Sequence, residues 1–319
     1  MGLDTGYFDD CLLGAEGAAV ETVRKDIRDV VPEDLEEIDV VIHLAALSND
    51  PIGNLNERWT TEINAEASVG LAQMARSAGV ERFVFSSSCI MYGMAEAEVV
   101  DETTPLDPQT EYARSKVEAE RGIGQLASDS FSPTFLRNGT VYGLSPRMRF
   151  DTVLNDLVGA AAVTGVVSVH GDGTPWRPVV HVEDVARAFA AVLEAPRELV
   201  HDQAFNTGAD QLNRQVRDLA QAAAAAVPGV RIETQSSPAA DRRTYKADFS
   251  KWSRTFPSFK WRWTPEAGAR DLAERLSAVG LTADAYADAR FTRLGWLSHL
   301  LEAGRLDSSL RWAAAPIAT

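Results

Sequence analysis

Short continuous apolar runs alternate along this chain with segments whose apolar residues recur every three or four positions. Residues 39–46 (DVVIHLAA) form a β-branched, apolar run without polar alternation, the pattern of a strand buried on both faces. Residues 82–88 (RFVFSSS), 133–137 (PTFLR), 166–170, 179–182, 204–207 and 231–234 repeat it. Between and after them, 57–79, 110–126, 151–163, 183–193, 213–227, 265–279 and 287–304 read as helices. The first sets Ile63, Leu71 and Met74 on one face and stops at Gly79. Residues 235–240 (QSSPAA) read as a flexible loop. This alternation predicts an α/β fold, a doubly wound parallel sheet with helices on both faces. Such sheets take ligands beyond the carboxyl ends of their strands. The sequence places His43-Leu44-Ala45-Ala46, Ser86–Ser88 and Arg137-Asn138 there.

Composition narrows the function. The chain has 319 residues, 45% of them hydrophobic and 24% charged, enough for a sizeable core. With 31 basic against 46 acidic side chains the net charge is −15. That argues against a nucleic-acid backbone or an anionic membrane as main partner. An anionic small molecule held by a few local arginines stays possible. No run of about 18 apolar residues predicts a membrane span, and the opening MGLDTGYFDD lacks the basic and apolar regions of a signal peptide. Two cysteines, Cys11 and Cys89, cannot build a disulfide framework, and five scattered histidines offer no metal-site spacing. The expectation is a cytoplasmic protein without a metal.

The strongest chemical constellation is Tyr112-Ala113-Arg114-Ser115-Lys116, with Ser88 on an earlier strand end. Tyr112 and Lys116 share one helix face. An ammonium beside a phenol favours the phenolate, which can take a proton from a sugar hydroxyl. Hydride then leaves the adjacent carbon for a nicotinamide ring, and Ser88 could hold the same oxygen. A YxxxK spacing alone arises by chance on any helix. Its flanks, Glu102-Thr103-Thr104-Pro105 and Ser86–Gly93, give it weight.

With those flanks the sequence resembles the extended short-chain dehydrogenase/reductase family, in its NAD-dependent epimerase/dehydratase branch. The family's HLAA strand end (His43–Ala46), its SSxxVYG strand end (Ser87–Gly93, with Met91 for Val), its YxxxK helix (Tyr112–Lys116) and its GDGxxxRxxVHVxDvA segment (Gly171–Ala186) follow in order over nearly the whole chain. The resemblance implies NAD as cofactor and a nucleotide sugar as substrate. It makes Tyr112 the acid/base, Lys116 the residue that lowers its pKa and binds nicotinamide ribose, and Ser88 the third catalytic member. Asp4 matches the carboxylate on the adenosine ribose, which favours NAD over NADP because it repels a 2′-phosphate. Asp26 and Ile27 match the pair at the adenine edge, and Leu44, Ala45 and Ala46 the cofactor-side strand end. Arg177 matches the arginine that pairs with a diphosphate. Arg242 and Arg243 are candidates for a second one, or a solvated loop. Arg149, Asn138 and Thr140 are further substrate-side candidates, with Thr140 where the family often has Asn.

The resemblance also implies a Rossmann-like domain over residues 1–145, to which 176–207 return, and a smaller α/β substrate lobe from 146–175 and 208–319. A homodimer is expected through the helices near 57–79 and 110–126, with Ala65, Val69 and Ala72 on one face. Packing within one chain explains those small residues equally.

Two departures bear on the reaction. The first strand and the glycine-rich phosphate turn are missing, and the sequence opens near the end of the family's second strand. Gly14-Ala15-Glu16-Gly17 reads as a loop. An incomplete chain is the expectation; the alternative is a cofactor-free binding or scaffold protein on a degraded fold. The second departure lies after Ser88. Dehydratases of this branch carry Asp and Glu there, where this chain has Cys89 and Ile90, so dehydration is disfavoured against epimerisation or ketoreduction. Some members use a cysteine near this strand end for proton transfer, two places after the serine. Cys89 lies one place after, which turns it to the other face, and a small packed cysteine is the simpler reading.

Overall fold

The computed structural model describes residues 1–14, 20–48, 50–94, 97–235 and 243–313. Its centre is a four-stranded parallel sheet in the spatial order Gln203–Thr207, Ser132–Asn138, Arg82–Ser88, Val40–His43. Ser132–Asn138 is buried along its whole length, between two neighbouring strands of the sheet. The register sets Ser88 beside Asn138 and Arg137 beside Asn206, so the polar strand ends line up on one rim. Gly2–Asp4 and Thr22–Arg24 pair in a separate two-stranded parallel sheet. Beyond the central sheet, Thr140–Tyr142, Trp176–His181 and Asn213–Gln215 form a second sheet, and Val166–His170 pairs with Arg231–Gln235. This is a Rossmann-like α/β fold, as the alternation predicted. The expected loops at Gly14–Gly17 and 235–240 fall largely outside the described residues.

The helix expected over 57–79 is built in pieces. Glu57–Thr60 is capped by Asn56, Thr61–Glu66 widens into a π-helical stretch, and Ala67–Ala78 ends at Gly79, whose φ of +89° closes the turn. The π stretch turns Asn64 fully inward. Its side chain accepts from the Leu47 amide at 2.7 Å and donates to the Leu47 carbonyl at 3.0 Å and Ser115 Oγ at 3.2 Å. One side chain thus ties the loop after the HLAA strand to the helix that carries Tyr112 and Lys116. That helix, Glu111–Gly124, starts at Thr110, whose hydroxyl accepts from the Ala113 amide. Gly122 leaves room for Val69: a Cβ there would sit 2.5 Å from Val69 Cγ2. The small-residue face is therefore used inside this chain.

The largest apolar cluster joins Ile63, Leu71, Phe83, Phe85 and Ile123 to Trp296, Leu297, Leu300, Leu306 and Leu310. A second one holds Tyr142, Leu154, Val158, Leu219, Leu272 and Phe291. The expected lobe comprised residues 146–175 and 208–319; Arg293 still bonds to Arg147 and Asp151 in it, while residues 296–313 pack with the N-terminal half. Trp296 Nε1 donates to the Tyr7 carbonyl at 2.6 Å and Trp59 Nε1 to Ser308 at 2.9 Å. Trp312 Nε1 donates to Thr5 at 2.6 Å, and the Tyr7 hydroxyl to Leu310. Among the described residues no helix is long and apolar enough to cross a membrane.

Candidate active site

A cavity of about 460 Å³ opens at the carboxyl rim of the central sheet. Ser86–Ser88 and Asn138–Val141 form its floor. Tyr112 enters from the first turn of its helix, and Arg149, Asp151, Arg177, Arg243 and Tyr245 close it from the other lobe. Of the expected site residues, Ser88, Tyr112, Asn138, Thr140, Arg149, Arg177 and Arg243 meet here. Arg242 lies outside the described residues.

Lys116 is buried and donates from Nζ to the Ser86 carbonyl at 2.8 Å. Its ammonium lies 4.6 Å from the Phe85 ring centre and 5.9 Å from that of Tyr112. Burial lowers its pKa to about 8. Burial also pushes the Tyr112 phenol up to about 12; Arg149 opposes this, Asp50 adds to it, and a hydrogen bond with Ser88 opposes it again. The site as folded favours a neutral phenol, and the cation that acts on it most is Arg149.

The cofactor-side residues are distributed unevenly. Leu44 and Ala45 are exposed just past the strand, and His43 below them is buried, neutral (pKa down to about 3) and bonded to Ser68 Oγ at 2.7 Å. Asp4 is exposed, with Oδ1 accepting the Gly6 amide at 2.6 Å. Asp26 is different. Oδ1 accepts from both the amide and Nε of Arg28, and Oδ2 from Nη2. Arg28 also donates to the carbonyls of Ser309 and Leu310, while Ile27 is buried in the core.

Cys89 is fully buried and donates to the Arg137 carbonyl at 3.1 Å; burial drives its thiol far above the usual range. It is packed, and no proton acceptor. Arg137 itself is held by Glu120 at 2.8 Å and the Tyr92 hydroxyl at 3.1 Å. Arg147 pairs with Asp9 away from the cavity. His181 stacks on Trp263 at 4.2 Å and caps its helix, while Asp184 accepts the amides of Arg262 and Trp263.

Sequence reasoning missed Ser48, Asp50, Asp151 and Tyr245. Asp50 Oδ1 accepts from Thr110 Oγ1 at 2.6 Å, and Oδ2 from Arg243 Nη1 at 2.8 Å. Arg149 donates to Ser48 Oγ at 2.9 Å and Asp151 Oδ1 at 2.8 Å. Arg177 donates to the carbonyls of Trp176 and Arg243, which fixes the Arg243 loop over the cavity. Asp50 follows the HLAA strand end closely enough that extending the strand-end rule by one turn finds it. Tyr245 has no such signal.

A sequence profile of the NAD dependent epimerase/dehydratase family matches residues 16–208, more than half of the chain. The chain belongs to that family. It is 29% identical over 161 residues to dTDP-D-glucose 4,6-dehydratase of Mus musculus, which covers 50% of this chain and 45% of that protein. It is 28% identical over 208 residues to UDP-glucose 4-epimerase of Corynebacterium glutamicum, covering 60% and 62%. The chain thus spans about half the length of the curated relatives it matches. Among solved structures, MoeE5 in complex with UDP-glucuronic acid and NAD aligns with a TM-score of 0.71 and 28% identity, over 81% of this chain and 85% of that one. TunA, an NAD-dependent NDP-hexosamine 5,6-dehydratase, aligns with a TM-score of 0.73 at 24% identity, over 81% and 83%. That second likeness is one of fold.

Proposed function

We propose that this chain is an NAD-dependent epimerase, or a closely related oxidoreductase, of a nucleotide-activated sugar. The observation that carries this is the convergence of Ser88, Tyr112 and three arginines in one cavity, with Lys116 directly behind Tyr112. The donor set suits the nicotinamide end of NAD. Lys116 spends one of its three donors on Ser86 and keeps others for a ribose, and Asp4 keeps an oxygen for the adenosine ribose. Asp26 fits less well, because both its oxygens already accept from Arg28.

When bound, NAD supplies the hydride acceptor and, on return, the hydride donor. The chain's own residues do the rest. Arg149, Arg177 and Arg243 face the diphosphate. Ser88 holds the reacting carbinol oxygen, and Tyr112 takes its proton as the C–H hydride leaves, giving a ketone. Once the sugar has turned, return of a hydride to the opposite face of the carbonyl carbon with return of the proton from Tyr112 to its oxygen would restore the alcohol with inverted configuration and no net redox change. Burial favours the neutral Tyr112 phenol, Arg149 and the hydrogen bond with Ser88 oppose this, and the Lys116 ammonium behind the ring would further favour the phenolate.

Cys89 and Ile90 stand where dehydratases of this branch carry carboxyl groups, which supports epimerisation over loss of water. Tyr112→Phe is expected to cut turnover at least ~100-fold with an unchanged melting temperature. Turnover is read by NMR of activated sugars with added NAD, and near-normal activity in the variant overturns the mechanism. A product lighter by one water, seen by mass spectrometry, overturns the choice of epimerisation.

A further inference from the structure

Asp50 stands in the cavity wall beside the proposed acid/base, and no step of the proposed reaction uses it. It is built in, not incidental. Thr110, the cap of the catalytic helix, fixes one oxygen at 2.6 Å, and Arg243 reaches across from the other lobe to the second at 2.8 Å. Its side chain keeps 18% of its surface exposed, toward the cavity. It lines the same cavity as Tyr112 and Ser88, where the sugar must sit if Tyr112 acts.

Asn138 also lines this cavity. Asn138 is only 6% exposed; its Nδ2 donates to Ser86 Oγ at 3.1 Å and the Ser87 carbonyl at 3.4 Å. Its Oδ1 is buried with no partner among the described residues. A buried oxygen left this way needs a donor.

Charge selects further. The cavity wall carries Arg149, Arg177 and Arg243 against Asp50 and Asp151. A dianionic diphosphate more than consumes that small positive excess, which leaves no spare cation for a second anionic group. Relatives do not decide the matter, since MoeE5 has been solved with both UDP-glucuronic acid and UDP-glucose.

We propose that Asp50 is a specificity-determining residue: its carboxylate in the cavity wall favours an uncharged hexosyl group and turns away hexuronic acids. This rests on the nucleotide-sugar reading above.

The test is calorimetric titration of the full chain with matched pairs, UDP-glucose against UDP-glucuronic acid and GDP-mannose against GDP-mannuronic acid, with UDP and GDP alone as controls. The neutral sugar is expected to bind at least ~10-fold more tightly than its uronate. Asp50→Asn keeps the shape and is expected to bring that ratio close to one. Any gain from releasing Arg243 appears equally with the bare nucleotide and cancels in the ratio. Equal affinities in the parent chain, or a ratio unmoved by Asp50→Asn while the bare nucleotide binds, overturn the proposal alone. Failure of every nucleotide to bind overturns the parent reading and this one with it.

Discussion

Lys116 is held inside the protein at a cost in stability. Its pKa falls from 10.5 to about 8, so between those values the unfolded chain binds more protons than the folded one. Stability contributed by this group therefore rises with pH through that window, and below about pH 8 the penalty is full, on the order of 3 kcal/mol. Lys116→Met removes the penalty and loses the bond to Ser86. We expect a net gain of about 1–2 kcal/mol at pH 7, a higher melting temperature, and loss of turnover. Melts at pH 7 and pH 10 check this: the advantage of the variant shrinks at the higher pH, and a variant less stable at pH 7 contradicts the account. Tyr112, Lys116 and Ser88 were legible in the sequence because local spacing places them. The protonation of Tyr112 was not, because it depends first on burial and then on Arg149 and Asp50, which arrive from other parts of the chain.

At the scale of elements, helices and strands were legible wherever periodicity alone decides. The π-helical stretch at Thr61–Glu66 was not, since its apolar spacing still reads as helical; it is Asn64, drawn to the Leu47 backbone, that marks it. The short helix Asp50–Leu55 was missed because Pro51 and Gly53 read as breakers. Pro51 sits in the first turn, where its missing N–H costs nothing. Two elements meet at Thr110, which caps one helix and anchors Asp50 on the other. Thr110→Val is expected to cost about 1–2 kcal/mol in urea denaturation. Gly93 closes the turn after the Ser88 strand with φ +57°, and a Cβ there would stand 1.7 Å from the Asp107 carbonyl oxygen. Gly93→Ala is expected to destabilise by roughly 3 kcal/mol or more, seen as a loss of folded yield or a melting temperature several degrees lower.

Across the whole molecule, the strap at residues 305–313 is the least legible feature. Its partners at Thr5, Arg28 and Trp59 lie more than two hundred residues away along the chain, which no local pattern encodes. Ending the chain after Gly304 is expected to lower the melting temperature by several degrees and to shift tryptophan emission to the red, because Trp59 loses its bond to Ser308. An unchanged melt and spectrum would show the strap to be idle. The strap also orders events in time. Arg28 finds its carbonyl partners at Ser309 and Leu310 only after those residues have been synthesised. At ordinary translation speeds the interval is roughly 15–60 s. Until then the face around Tyr7, Ile27 and Trp59 lacks the residues that cover it in the folded chain, and such uncovered apolar surface is what chaperones shield.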